Sequence, residues 1–222
     1  MTPTTNSLRE AIAPLWRDNM ALAQFLGLCP LLAVTTTVVN GLALGLASAA
    51  VIVIASTAMA LLKHALKPAA RLPIALLILA ALVTVIDLFS EAMFYDLHGK
   101  LGIFIPLIVV NSGLLAHADS VASRRSVGFT FLSALATGLG FLLAFLALGA
   151  LREIVGHGTL LSDIELLAGE SYRGMTLELP TGGMLVAILP PGAFFGMGLL
   201  LALRNRLTAK PRNDQSSSGM PR

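Results

Sequence analysis

Long apolar stretches alternate with short charged ones along the chain. Runs free of Asp, Glu, Lys and Arg extend from Asn19 to Leu62, Leu72 to Ile86, Leu101 to Ala118, Ser126 to Leu151 and Leu179 to Leu203. One helical crossing of a bilayer takes about 20 apolar residues. The first run therefore holds two crossings and each of the others one, six in all. The third reaches full length only by taking in Asp87 and Glu91 at its far end. The expected fold is an all-α integral membrane protein of six transmembrane helices.

Polar segments flank this membrane domain, which covers residues 19–205. Ser7-Leu8-Arg9-Glu10 is a capping box, and Leu8, Ile12, Leu15 and Trp16 follow at helical spacing. Residues 1–18 read as a cytoplasmic or interfacial helix with Trp16 at headgroup depth, or else as an extension of the first span. Residues 152–180 carry Glu153, Asp163, Glu165, Glu170 and Glu178 against Arg152 and Arg173, and read as a solvated outer loop. Residues 206–222 are polar and rich in Ser and Pro, the composition of a disordered cytoplasmic tail.

Composition agrees with the pattern. Of 222 residues, 56% are hydrophobic and 12% charged, about half the charged share of a soluble domain. The basic residues set an orientation. With both termini cytoplasmic, Lys100, Arg152 and Arg173 lie outside and the other twelve of the 15 Lys and Arg lie inside, as the positive-inside rule requires. The net charge of +3 is then a topology signal. No aromatic-basic surface points to nucleic acid.

Helix breakers mark the candidate chemistry. Gly27-Leu28-Cys29-Pro30 interrupts the first span at the only cysteine. Laying Pro30 on Pro106 aligns PLLAVTT (30–36) with PLIVVNS (106–112), with Gly27 and Gly102 upstream. That offset spans three crossings, and an odd number reverses direction, so the two halves read as a 3+3 inverted repeat, about 19–92 and 101–205. Spans 1 and 4 would then be broken at mid-membrane and face each other. A helix restarting there with proline in its first turn presents unpaired N–H groups that favour an anion; the other reading is a kink for packing. Leu189-Pro190-Pro191-Gly192 interrupts span 6, where Gly196 and Gly198 would admit a close neighbour. Asp87 and Glu91, with Asp96 and His98, either line the mouth of an ion path or are ordinary interfacial residues. Cys29 reads as a neutral, packed thiol in the membrane or as a metal ligand. Iron–sulfur clusters usually take four thiolates, which one cysteine cannot supply.

Four blocks in order, GLCPLLAVT (27–35), LGIFIPLIVVN (101–111), LREIVGHGTL (151–160) and LPPGAF (189–194), resemble the RnfE family, the E subunits of the Rnf (Rsx) ion-translocating electron-transport complex. The resemblance covers roughly residues 8–205. It implies a multi-pass component of the bacterial inner membrane that pairs, inverted, with the homologous RnfA, beside RnfB, RnfC, RnfD and RnfG. The complex would couple electron transfer between ferredoxin and NAD to translocation of Na⁺ or H⁺. The pair would share an intramembrane [2Fe-2S] cluster, to which this chain brings Cys29 and, where the family pattern has Asn-Cys, Ser112 in Asn111-Ser112-Gly113. Serine ligation or a three-cysteine site is then expected. Neither flavin nor nucleotide is expected on this chain, which has no Gly-rich fingerprint after a strand. NqrD, the counterpart in the sodium-pumping NADH:quinone reductase, is the related alternative. An inverted-repeat secondary transporter without a cluster is the rival from another class.

Overall fold

The computed structural model describes residues 19–22, 24–124, 126–160, 177–178 and 184–208. The expected N-terminal helix, most of the outer loop and the tail lie outside the described residues. Among those described, three helices are long and apolar enough to cross a membrane. They are α2 (Val38–Leu62), α3 (Arg71–Met93, entered through a 3-10 turn over Pro68–Ala70) and α6 (Val127–Gly156). They match the predicted spans 2, 3 and 5. Each start has a local cause. Thr37 is extended, and its side chain accepts a hydrogen bond from the Asn40 N–H (3.3 Å); Ser126 does the same for the Phe129 N–H (3.4 Å). Such caps satisfy N–H groups that have no intrahelical partner. Pro68 restricts the start of the third, where its missing N–H is not needed.

The regions assigned to spans 1, 4 and 6 are interrupted. The first is non-helical over the described residues 19–22 and 24–27 and becomes helical over α1 (Leu28–Val34). The fourth comprises α4 (Tyr95–Leu101), a 3-10 turn over Ile105–Ile108 and α5 (Ser112–Arg124). The sixth splits at Leu189 into α7 (Leu185–Ile188) and α8 (Pro190–Thr208). Pro30 occupies the first turn of α1, as expected, but Pro106 does not start an α-helix. It sits in the 3-10 turn, and the restart waits until Ser112. The reason is local: Asn111, not a proline, supplies the cap, its Oδ1 accepting the Gly113 N–H at 3.0 Å. Among the described residues, the only strand pairing is a two-residue antiparallel one, β1 (Thr159–Leu160) with β2 (Leu177–Glu178).

The core lies between α2 and α6, the most extensive helix pair. Val38 packs on Gly149, Gly41 on Phe145, Gly45 on Leu142 and Ala49 on Gly138, a ladder of contacts that runs the two helices antiparallel. A Cβ on Gly41 would stand 3.0 Å from the Phe145 carbonyl oxygen, and one on Gly138 3.1 Å from Ala49 Cα. Small residues bring the backbones this close because dispersion, rather than water exclusion, drives helix association in lipid. Phe141 and Phe145 fill the adjoining space edge to face, their centroids 4.9 Å apart. In α8, Gly196 meets Leu148 and Leu151 of α6, as expected, whereas Gly198 has open space beside it and brings no neighbour closer.

The structure also corrects the limit of span 5. The last polar boundary was expected at Leu151, with Arg152 and Glu153 in the solvated loop; instead α6 continues to Gly156 and both side chains are buried, at 2% and 0% exposure. Hydrogen bonds from three other elements compensate their charges, so the chain has no need to carry them to water.

Candidate functional site

The two interrupted regions meet at their helix starts. Gly27, in left-handed backbone (φ 75°, ψ 24°), precedes α1, and Asn111 precedes α5. A Cβ at Gly27 would lie 2.7 Å from both Asn111 side-chain heteroatoms, so glycine is what permits the contact. Gly113 is likewise pressed against Met20 and Leu26 of the irregular entry segment. Asn19 holds that segment: its Oδ1 accepts from the Ala21 and Leu22 N–H groups, and its Nδ2 donates to the Gly140 carbonyl at 2.6 Å. At the other end, Arg204 of α8 donates to the Leu22 carbonyl (3.1 Å).

Cys29 and Ser112, on the first turns of these two helices, are both exposed. Cys29 is therefore not the packed thiol that its place in an apolar run suggested. An apolar run does not say which side of a short helix faces out, and α1 buries Pro30, Leu31 and Val34 instead. Between the two starts lies Asn111, 2% exposed, whose Nδ2 has no hydrogen-bond partner among the described residues. A buried donor without an acceptor costs roughly 1–3 kcal/mol, which an acceptor brought to the junction would relieve. One exposed thiol, one exposed hydroxyl and one orphaned amide donor are too few to hold an iron–sulfur cluster by themselves, since such clusters usually take four thiolates. No group of three or more His, Cys, Asp or Glu among the described residues could hold a metal by itself.

The acidic residues of span 3 are only partly brought together. Asp87 Oδ1 lies 3.6 Å from His98 Nδ1, linking the end of α3 to α4, while Glu91 and Asp96 are exposed.

Sequence reasoning missed the second polar centre. Arg152 Nη1 donates to the Leu32 carbonyl (3.1 Å) and to Thr35 Oγ1 (3.0 Å). Its Nε donates to the Ala187 carbonyl (3.2 Å), and its Nη2 to the Ile188 carbonyl. Glu153 Oε2 accepts from the Val38 N–H (2.8 Å). Beside Arg152 an apolar cleft of about 350 Å³ opens between α6 and α8, lined by Leu151, Val155, Phe195 and Leu199 among others. The available signal was weak but present: no Gly or Pro separates Leu151 from Gly156, so nothing there stops a helix.

Comparison with known proteins places this architecture. The family model described as "Rnf-Nqr subunit, membrane protein" matches residues 7–201. Relatives named as the E subunits of ion-translocating oxidoreductase complexes match nearly end to end. That of Thioalkalivibrio sulfidiphilus is 47% identical over 202 residues, covering 90% of this chain and 89% of the relative. That of Pseudoalteromonas atlantica is 45% identical over 195 residues, covering 87% and 84%. That of Pseudomonas paraeruginosa is 47% identical over 195 residues, covering 87% and 82%. The apolar helices and these matches agree, and the chain belongs to the Rnf-Nqr family of membrane-protein subunits.

Proposed function

We propose that this chain is the RnfE component of a redox-driven ion translocase and contributes half of an intramembrane [2Fe-2S] site. One observation carries the reading: Cys29 and Ser112 are exposed on the first turns of two helices whose preceding residues, Gly27 and Asn111, touch. Donors that face outward from a chain too poor in ligands to complete a site suit one that a second chain completes. On this reading the partner is the homologous RnfA, inverted against this chain. RnfB, RnfC, RnfD and RnfG complete a complex that couples electron flow between ferredoxin and NAD to Na⁺ or H⁺ movement. The chain crosses the bacterial inner membrane six times as a 3+3 inverted repeat with both termini cytoplasmic; the antiparallel course of α2 and α6, the middle helices of the two halves, supports that arrangement.

A bound [2Fe-2S] cluster would supply one-electron transfer at the seam. The chain's own groups have separable tasks. Cys29 offers a thiolate and Ser112 an oxygen ligand in place of the family's cysteine. Asn111 Nδ2 offers a hydrogen bond to an anionic acceptor. The first N–H groups of α1 and α5, apart from that of Gly113, which Asn111 caps, favour negative charge between them. Met20 and Leu26 pack against Gly113 and support the junction from the protein side.

The test is electron paramagnetic resonance of the purified complex. Cys29→Ala should abolish the intramembrane [2Fe-2S] signal, and a signal of unchanged shape and amplitude would dismiss Cys29 as a ligand. Ser112→Cys should shift the midpoint potential, since thiolate and alkoxide stabilise iron differently; an identical potential would show that position 112 does not touch iron. A wild-type complex without iron or acid-labile sulfide, able to move a solute, would favour the secondary transporter.

A further inference from the structure

We propose that Arg152 and Glu153 are positioning residues for Cys29, a charged clasp that fixes the α1 segment and sets the electrostatic environment of its thiol. The inference rests on the reading of Cys29 as a cluster ligand. Adjacent residues of opposite charge, both buried, are a heavy burden inside an apolar protein unless each is bonded. Here each closes a helix end. Arg152 places its cation at the carbonyl ends of two helices, reaching Leu32 and Thr35 at the end of α1, and Ala187 and Ile188 at the end of α7. Glu153 places its carboxylate at the start of α2, on the Val38 N–H. Both signs match the helix dipoles. The three-residue corner Thr35–Thr37 is thus gripped from both sides by consecutive residues of one long, rigid helix.

The grip matters because α1 has only seven residues, far below the length at which a helix holds itself. It begins at a left-handed glycine packed on Asn111 and ends at the clasp, so the two ends together fix where Cys29 stands. Leu32, the carbonyl that Arg152 holds, is three residues beyond Cys29 on the same helix. On this proposal the guanidinium, bonded to the helix that bears Cys29, acts on the charge state of a group bound at Cys29, with the Glu153 carboxylate opposing it.

The experiment uses the whole complex with Arg152→Gln, Arg152→Lys and Glu153→Gln. Gln at 153 keeps an acceptor for the Val38 N–H and removes only the charge. Redox titration followed by electron paramagnetic resonance should show a lower midpoint potential in R152Q, because the reduced, more negative state loses a neighbouring cation. It should show a higher potential in E153Q and recovery in R152K. A purely structural role would not move the two in opposite directions; shifts of one sign, or none, overturn the proposal.

Hydrogen exchange supplies a readout that needs no iron. Loss of charge-assisted hydrogen bonds should speed exchange at residues 31–38 by at least about tenfold in R152Q, with α3 unchanged. Unchanged exchange overturns the clasp. If R152Q does not accumulate, Thr35→Val removes the acceptor for Arg152, together with the Thr35 Oγ1 donation to the Leu31 carbonyl (2.7 Å), without altering charge, and should speed exchange at the same residues. A wild-type complex lacking any iron–sulfur signal would overturn the cluster reading, while exchange would still decide the clasp.

Discussion

Gly27 carries two constraints at once: a left-handed backbone that other residues enter at a cost of roughly 1–2 kcal/mol, and contact with Asn111 that leaves no room for a Cβ. Gly27→Ala should therefore destabilise the detergent-solubilised protein by more than the backbone term alone, measured as a fall in thermal midpoint. Gly128→Ala, a helical position with nothing within 4 Å of its Cβ, should be neutral or stabilising by up to about 1 kcal/mol. At this scale the chain was half legible. The glycine, cysteine and proline of 27–30 announced a break, since each disfavours a continuous helix for its own reason. That Cys29 faces outward and Pro30 inward was not announced, because in an all-apolar stretch hydrophobicity no longer distinguishes the buried face.

Among the elements, the helix starts show which local signals survive in an apolar chain. Thr37 both caps α2 and belongs to the corner that Arg152 and Glu153 hold. Thr37→Ala should cost about 1 kcal/mol of stability, read from the same thermal midpoint. Ser126→Ala, whose cap bond is longer at 3.4 Å and exposed, should cost less. The end of α6 was misjudged from sequence. A charged pair after an apolar run reads as a span boundary when water is the only partner considered, and here backbone groups of α1, α2 and α7 take water's place. The interruption at Leu189 was legible, because two consecutive prolines cannot continue a helix already under way, yet one of them can begin the next.

For the whole molecule, the antiparallel seam of α2 and α6 is the central contact. Gly138→Leu would drive a side chain into Ala49 and Ile52. It should destabilise the protein by about 1–3 kcal/mol or more, while Gly198→Leu, facing open space, should leave the thermal midpoint within error. The proposed topology has its own check. In a Cys29→Ser background, Lys67→Cys should react with an impermeant maleimide only from the cytoplasmic face and Lys100→Cys only from the outer face. Labelling of both from one face would rule out the six-span arrangement.

The amino-acid order alone was enough for membrane residence, the three long helices and the sites of interruption. These depend on composition over a window of residues and on the backbone limits of glycine and proline, both local properties. Folding was needed to bring Gly27 against Asn111, to turn Cys29 and Ser112 outward, and to bury Arg152 and Glu153 among helix ends. Those outcomes depend on which distant groups can satisfy a hydrogen bond or tolerate a close approach, and partners more than a hundred residues apart, such as Arg152 with Leu32 and Glu153 with Val38, leave no pattern in the neighbourhood of either.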